Sequence, residues 1–419
     1  MYDLLIVGAG PKAAAIGARC AALTSLGRPA PTVVAADPLG VGGYWMPDGG
    51  WTDGLQRLGT APEKDLGFPY TSADAELDEA LFSFSWCAHL RHRGTYDSWI
   101  DRGRPAPTHR EWAEYLRWGV ARSGMPVIRE RVTELEADGA GWLASLTDGS
   151  RTRVIRSRSV MITGPGPATR RITQHPAVWS LARFWSGGAA ELRGRRIVIL
   201  GAGESAAAAV AESVRADAAE ITIVAPGPTV FSRGESYLEN RVYTHPDEWG
   251  GLAEADRHAV IARTDRGVFS KENQGVAALF GGLRFARGAA VSVLERDGGV
   301  IPVDARGATL SGAADIVVDA RGGDATWFLG LLGADAAAAL PSRRERDLER
   351  RIDWNCRVED MSPPLFLPTL AAFRQGPGLA NLSCLGTLAG RVVDGVDVLA
   401  GDRGGAGDRP AATVGTHGG

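Results

Sequence analysis

Two glycine-rich turns, each set directly after an apolar run, constrain this chain more than any other feature. The first is Leu4-Leu5-Ile6-Val7-Gly8-Ala9-Gly10-Pro11-Lys12-Ala13; the second is Ile197-Val198-Ile199-Leu200-Gly201-Ala202-Gly203-Glu204-Ser205-Ala206. Each reads as strand, tight turn, helix, the order that a dinucleotide-binding βαβ unit requires. Gly8 permits the turn, and Gly10 lets the backbone approach a pyrophosphate whose charge rests on the helix N-terminus opened by Pro11 and Lys12. A second apolar strand, Thr32 to Ala36, ends in Asp37, an acid placed to accept hydrogen bonds from ribose hydroxyls. The loop from Gly27 to Pro31 absorbs a spacing longer than usual. Two such units imply two bound dinucleotides, and a protein holding two dinucleotides passes electrons between them.

The second unit differs from the first. After Gly201, Gly203, Glu204 and Ser205, its next strand, Glu220 to Val224, ends in Ala225-Pro226 with no acid. The missing acid leaves room for a ribose 2′-phosphate, which favours NADPH over NADH, with Arg233 the nearest basic candidate. The polar segment Ser232 to Asn240 follows, with little periodicity, where cleft-lining loops occur.

Length adds organisation. At 419 residues the chain exceeds one ordinary core, so two or three domains are expected. Helices are expected over 74–93 and over 108–123, the latter capped by Thr108. Val127 to Ile155 alternate like antiparallel strands with a hairpin at Asp148-Gly149, and Val160 to Thr163 form an apolar strand before Gly164-Pro165-Gly166-Pro167. Residues 41–70, rich in Gly, Pro and Trp, read as an ordered loop wrapping a ligand. The apolar run Asp315 to Asp319 reads as the chain returning to the first domain.

The expected fold is therefore α/β, with two Rossmann-like domains and a small helical substrate region. Residues 1–168 form the first part of the first nucleotide-binding domain, including segment 41–70 and the helices of 74–123. Residues 169–313 form the second domain. Residues 314–400 return to the first domain and add the small substrate region, and 401–419 form a disordered tail.

Other classes are excluded by what the chain lacks. A net charge of −3 carries no nucleic-acid footprint. Cys20, Cys87, Cys356 and Cys384 have neither metal nor disulfide spacing, the seven histidines show no ligand spacing, and no serine occupies a nucleophile elbow. No metal is expected. The absence of a CxxC or CxxxxC pair after the first unit disfavours a disulfide reductase. No apolar run reaches the roughly 18 residues of a membrane helix. The chain opens on a strand, so no signal peptide and a cytoplasmic location are expected. Lys64, in Glu63-Lys64-Asp65, reads either as surface charge or as the partner of a substrate carboxylate.

Four longer stretches carry a resemblance. They are Gly49-Gly50-Trp51-Thr52-Asp53-Gly54 with Arg57-Leu58-Gly59-Thr60; Pro62-Glu63-Lys64-Asp65-Leu66-Gly67-Phe68-Pro69-Tyr70; Arg263 to Ser270; and Gly376-Pro377-Gly378 with Asn381 to Gly386. Through them the chain resembles, from Gly8 to about Arg391, the flavin-dependent N-hydroxylating monooxygenases, in particular the lysine N6-hydroxylases of mycobactin- and nocobactin-type siderophore pathways. The resemblance implies FAD at the first unit and NADPH at the second. It implies O2 as co-substrate, a C4a-hydroperoxyflavin that oxidises the neutral side-chain amine of L-lysine, and homo-oligomers. Gly8, Gly10 and Asp37 match the family's FAD positions, and Trp45 and Gln56 match its flavin-flanking loop. Lys64 matches the lysine that pairs with the amino-acid carboxylate; Asn240, Asp265 and Ser383 match further substrate-pocket positions. Departures occur at Met46, at Asp265, in the longer Gln56-to-Lys64 spacing, at Ala225-Pro226 and at Arg321-Gly322-Gly323. Ornithine or another amine as substrate, and other flavin oxygenations such as Baeyer–Villiger or sulfide oxidation, stay open. A nucleotide-binding protein without catalysis is disfavoured.

Overall fold

The computed structural model describes residues 1–264, 267–296 and 298–401. Its first sheet is built from strands β1 (Tyr2–Val7), β2 (Val33–Ala36), β3 (Val127–Ile128), β4 (Arg131–Ala137), β5 (Trp142–Thr147) and β6 (Thr152–Ile162) in the order β3-β2-β1-β6-β5-β4. β1 runs parallel to both β2 and β6, and β4, β5 and β6 form an antiparallel meander. Leu4, Leu5, Ile6 and Val7 are all buried, as a central strand covered on both faces demands. The helix Pro11–Ser25 crosses behind them on a stripe of small residues (Ala13, Ala14, Ala15, Ala18) that lets it approach the sheet closely.

Three sequence expectations are refined here. Val127–Ile128 does not join the antiparallel meander. It enters from the helix His109–Ser123 and pairs parallel with β2 at the sheet edge. Val160 to Thr163 is no separate strand but the inner end of the long β6, whose outer half is exposed hairpin and whose inner half is core. The expected helix over 74–93 is two, Ala75–Phe82 and Trp86–His92, because Ser85 caps the second by accepting from the Ala88 N–H. Thr108 does cap the next helix, and in full capping-box form with Glu111.

The second sheet contains β7 (Val178–Ser180), β8 (Arg196–Leu200) and β9 (Glu220–Ala225). Beyond the short pair β10 (Phe231–Ser232) and β11 (Val268–Phe269), it continues with β12 (Leu283–Arg287). The hairpin β13 (Ser292–Arg296) and β14 (Gly299–Val303) precedes its last member, β15 (Ile316–Asp319). The order β12-β9-β8-β15-β7 is parallel throughout. This corrects the reading of Asp315 to Asp319 as the return to the first domain: β15 sits between β8 and β7. Asp315 fixes it there, accepting from the Arg196 backbone N–H at 2.8 Å and from its guanidinium at 2.7 Å. The return follows β15: Phe328 enters the core of the first domain, the Gly333 N–H donates to the Leu135 carbonyl of β4 at 2.9 Å, and β16 (Leu365–Phe366) then pairs parallel with β6. The division at 313 therefore falls one strand too early, and 314–319 belong with the second sheet.

A third, helical region packs between the two sheets' domains. The helix Tyr237–Thr244 and the short helix Pro377–Ala380 meet so closely that a Cβ on Gly378 would stand 2.1 Å from the Tyr243 carbonyl oxygen. The buried Trp249 indole donates to the Phe373 carbonyl at 2.9 Å. The helix at 237 replaces the aperiodic loop expected from Ser232 to Asn240; Ser236 and Glu239 form a capping box that starts it. The expected tail begins at the end of the last helix, Leu385–Gly401, and residues 402–419 lie outside the described residues.

Candidate active site

Both glycine turns open into one cavity of about 1840 Å³. Gly8, Gly10, Pro11, Lys12 and Asp37 line it from the first sheet; Gly201, Gly203, Glu204 and Ser205 line it from the second; Trp45 and Gln56 line it from the loop between. Single small-ligand pockets span roughly 300–1,000 Å³, so this space suits more than one nucleotide.

The two turns are built alike. Gly8 (φ +104°) and Gly201 (φ +123°) lie in a backbone region that L side chains rarely enter, and each touches the neighbouring strand's end. A Cβ on Gly8 would meet Thr163 Oγ1 at 2.4 Å; one on Gly201 would meet the Ala320 carbonyl at 2.6 Å. Gly10 and Gly203 differ, having ordinary φ; a Cβ on Gly10 would project into open space, and one on Gly203 would reach only ordinary contact with the Gly267 nitrogen at 3.9 Å. The first glycine of each pair is thus required by the fold and the second keeps space clear over a helix N-terminus, the cradle that a pyrophosphate fills.

Asp37 is buried, and its carboxylate accepts from the Ala9 N–H and the Leu39 N–H, both at 2.9 Å. Burial pushes its carboxyl above the ordinary range, offset in part by these backbone donors and by Arg131. Lys12 donates from Nζ to the Ala380 carbonyl at 2.5 Å, joining the first turn to the helical region. Glu204 holds a different segment: it accepts from the Ser270 N–H and hydroxyl, both at 2.9 Å, and from Asn273 Nδ2 at 2.8 Å.

The first part of segment 41–70 bonds the first turn, the Gly42 N–H donating to the Ala9 carbonyl at 3.0 Å, and is sewn to the helix His109–Ser123. Leu58 N–H donates to the Pro107 carbonyl, His109 N–H to the Gln56 carbonyl and Arg110 N–H to the Gly54 carbonyl, at 2.8–3.0 Å. Trp45 meets the His109 ring edge-on with centroids 4.8 Å apart. The Thr52 hydroxyl bonds Gln56 Oε1 and lies 2.9 Å from His109 Nδ1. Gln56 Nε2 is buried and has no hydrogen-bond partner among the described residues. Burial holds the His109 imidazole well below its usual pKa, at about 4, so it is neutral.

Lys64 and Asn240 are not among the residues lining this cavity; they are linked to it through Arg233, which neighbours Lys64 and bonds the carbonyl of the lining residue Gly59. Lys64 Nζ donates to Asn240 Oδ1 at 2.8 Å and lies 5.5 Å from the centre of the Tyr243 ring. Burial, and then the adjacent Arg233 cation, hold the Lys64 ammonium below its usual pKa. The next residue, Asp65, anchors the loop from beneath. Its carboxylate accepts from the Tyr70 hydroxyl at 2.6 Å and the Trp86 N–H at 2.8 Å, and burial pushes it up to about 7. Gly386 seals the arrangement: it donates to the Phe68 carbonyl at 2.8 Å, and a Cβ there would strike the Gly67 carbonyl oxygen at 2.1 Å.

Arg233, the basic candidate of the second unit, stands next to Gly59. Its guanidinium lies 5.7 Å from the Tyr243 ring centre and donates to the Gly59 carbonyl at 3.3 Å, beside Lys64. Ser383 is buried, and its N–H donates to Asn381 Oδ1 at 2.8 Å just behind the cavity wall formed by Asn381 and Leu382. Asp265 lies outside the described residues.

Sequence reasoning passed over Thr52, His109 and Tyr243. His109 reads only as a first-turn helix residue, and nothing in the spacing from Thr52 to Gln56 signals that all three meet.

The family model for L-lysine 6-monooxygenase/L-ornithine 5-monooxygenase matches residues 77–281. The L-lysine N6-monooxygenase MbtG of Mycobacterium sp. (strain MCS) is 41% identical over 410 residues, covering 93% of this chain and 94% of that protein. MbtG of Mycobacterium tuberculosis (strain H37Rv) is 38% identical over the same share of each chain. Among solved structures, the lysine monooxygenase NbtG of Nocardia farcinica superposes with a TM-score of 0.83 at 37% identity, over 93% of this chain and 98% of that one. The ornithine N-hydroxylase KtzI of Kutzneria sp. 744 shares the fold, with a TM-score of 0.73 at 19% identity over 96% and 100% of the two chains.

Proposed function

This chain belongs to the L-lysine 6-monooxygenase/L-ornithine 5-monooxygenase family, and from that premise we propose that it hydroxylates the side-chain nitrogen of L-lysine with FAD, NADPH and O2. The observation that carries the reading is that two glycine turns from separate parallel sheets share one cavity with a lysine–asparagine pair at its flank. The residues present fit the cofactors: the open space over Gly10 and Gly203 suits two pyrophosphates, and the orphaned Gln56 amide needs a partner. When bound, the flavin takes two electrons from NADPH and activates O2, so that one oxygen atom reaches the amine.

The chain's own residues do the rest. The Gly8–Lys12 turn holds the FAD pyrophosphate, Asp37 its ribose, and Trp45 and Gln56 flank the ring. Gly201, Gly203 and Ser205 receive NADPH, while Glu204 braces the segment from Ser270 to Asn273 beside them. Lys64 grips the substrate carboxylate, with Asn240 fixing the lysine's ammonium; a charge-assisted bond in a half-buried site is strong enough to set orientation. Held by its carboxylate, the substrate extends its amine toward the nucleotide cavity. That amine must be neutral to offer a lone pair, and desolvation in the closed site lowers its pKa. Asp265 and Ser383 complete the pocket in this reading. Arg233 is reassigned from the NADPH phosphate to the carboxylate end. The product, N6-hydroxylysine, serves hydroxamate siderophore assembly. We assign the reaction to the cytoplasm, since the four cysteines are thiols rather than disulfides.

The test compares hydroxylamine formed from lysine, ornithine and N6-acetyllysine by the FAD-loaded protein. Lysine is expected to exceed ornithine in kcat/KM by at least the roughly tenfold that one methylene is worth. Equal or greater use of ornithine would overturn the substrate assignment.

A further inference from the structure

The hydrogen bonds around Thr52 can be worked out group by group. Its hydroxyl has one proton and two lone pairs. The proton goes to Gln56 Oε1, and one lone pair accepts the Gly54 N–H at 2.9 Å. The contact left, 2.9 Å to His109 Nδ1, can only be filled by a proton on that nitrogen. His109 is neutral, so Nδ1 carries its single proton. The Gln56 amide stands with Oε1 on Thr52 and Nε2 left as an uncommitted donor, and this orientation and the Nδ1–H tautomer of His109 require each other. Thr52 and Gln56 are at most 8% exposed, and all three residues stand on the wall of the nucleotide cavity.

We propose that His109, acting through Thr52, is a positioning residue that holds the Gln56 amide in one orientation, so that its NH2 is presented as a donor to the bound flavin. The inference rests on the reading of this cavity as the flavin site. The helix His109–Ser123 thereby takes part in tuning the cofactor through its first residue. Without the relay the amide can turn over and offer its carbonyl instead, reversing the polarity of the contact. Trp45, packed edge-on against His109, keeps the imidazole in place.

The experiment uses the FAD holoenzyme and two readouts: the visible absorption spectrum of the oxidised flavin, and the share of NADPH consumed that appears as hydroxylamine rather than peroxide. Gln56→Leu, Thr52→Val and His109→Leu are expected to shift the spectrum alike and to lower the coupled share about fivefold, the worth of one hydrogen bond. His109→Asn, which can still donate from the Nδ1 position, is expected to stay near the parent. In a Gln56→Leu background neither Thr52→Val nor His109→Leu should add anything. Additive effects, or a parental spectrum in Thr52→Val, would overturn the relay. Should Thr52→Val lose its flavin, Thr52→Ser must restore both binding and spectrum, and failure to do so also counts against it. The spectrum is read without turnover. A parent that binds flavin but makes no hydroxylamine contradicts the proposed reaction, while a relay variant with an unchanged spectrum contradicts only this inference.

Discussion

Lys64→Ala is expected to raise the KM for lysine about 10- to 100-fold while leaving flavin content at the parental level. The magnitude is that of a charge-assisted hydrogen bond in a partly buried site, where the lost partner leaves the substrate carboxylate unpaired. The selectivity follows from position. Lys64 bonds Asn240 2.8 Å away and packs against Tyr243, but does not line the cavity that both glycine turns share. Removing it also relieves the repulsion between two neighbouring cations, so the loop should not lose stability on that account. Steady-state kinetics with parallel measurement of bound flavin decides the matter. An unchanged KM would show that the carboxylate is held elsewhere, with Arg233 the next group to examine.

The second large effect separates the two glycines of the first turn. Gly10→Val is expected to give a folded protein that no longer retains FAD, its ratio of flavin to protein absorbance falling about tenfold or more. Nothing in the structure lies within 4 Å of a Cβ at Gly10, and its φ is −88°, so the apo fold has no reason to object. The new side chain would instead occupy the space where the pyrophosphate must approach the backbone. Gly8→Ala should fail differently. Its positive φ and the 2.4 Å approach to Thr163 Oγ1 put strain of about 1–3 kcal/mol or more into the fold itself. Thermal unfolding of both apo variants, with flavin titration, distinguishes them. A Gly10→Val protein that binds FAD normally would show that the pyrophosphate lies elsewhere.

These two cases also show which parts of the molecule the sequence declares. The glycine turns, the burial of β1 and the acid ending β2 are local features, each dictated by residues within a few positions. Capping is local too: Thr108 with Glu111 was legible, and Ser236 with Glu239 carried the same signal for a helix that the polar composition of the segment concealed. Pairing partners are not local. An apolar run such as Ile316–Asp319 reads alike in either sheet, and its place is set by contacts far apart in sequence: ladders to β8 and β7, the burial of Val317 and Val318, and Asp315 on Arg196. Site assembly is equally distant. Lys64 meets Asn240 across 176 residues, and Thr52 meets His109 across 57. The resemblance supplied Lys64, Asn240 and Gln56 as separate positions, but the hydroxyl and imidazole that hold Gln56 carry no motif. Arg233 was assigned by its nearness in sequence to β9, and its bond to the Gly59 carbonyl, 174 residues away, has no local signal.

Reaction of the FAD-loaded protein with NADPH, L-lysine and 18O2, followed by mass spectrometry of the amino acid, tests the central claim most directly. The account predicts lysine bearing one 18O atom on its side-chain nitrogen, formed only when NADPH is present. NADPH consumption that yields peroxide alone, with lysine recovered unlabelled, would contradict it.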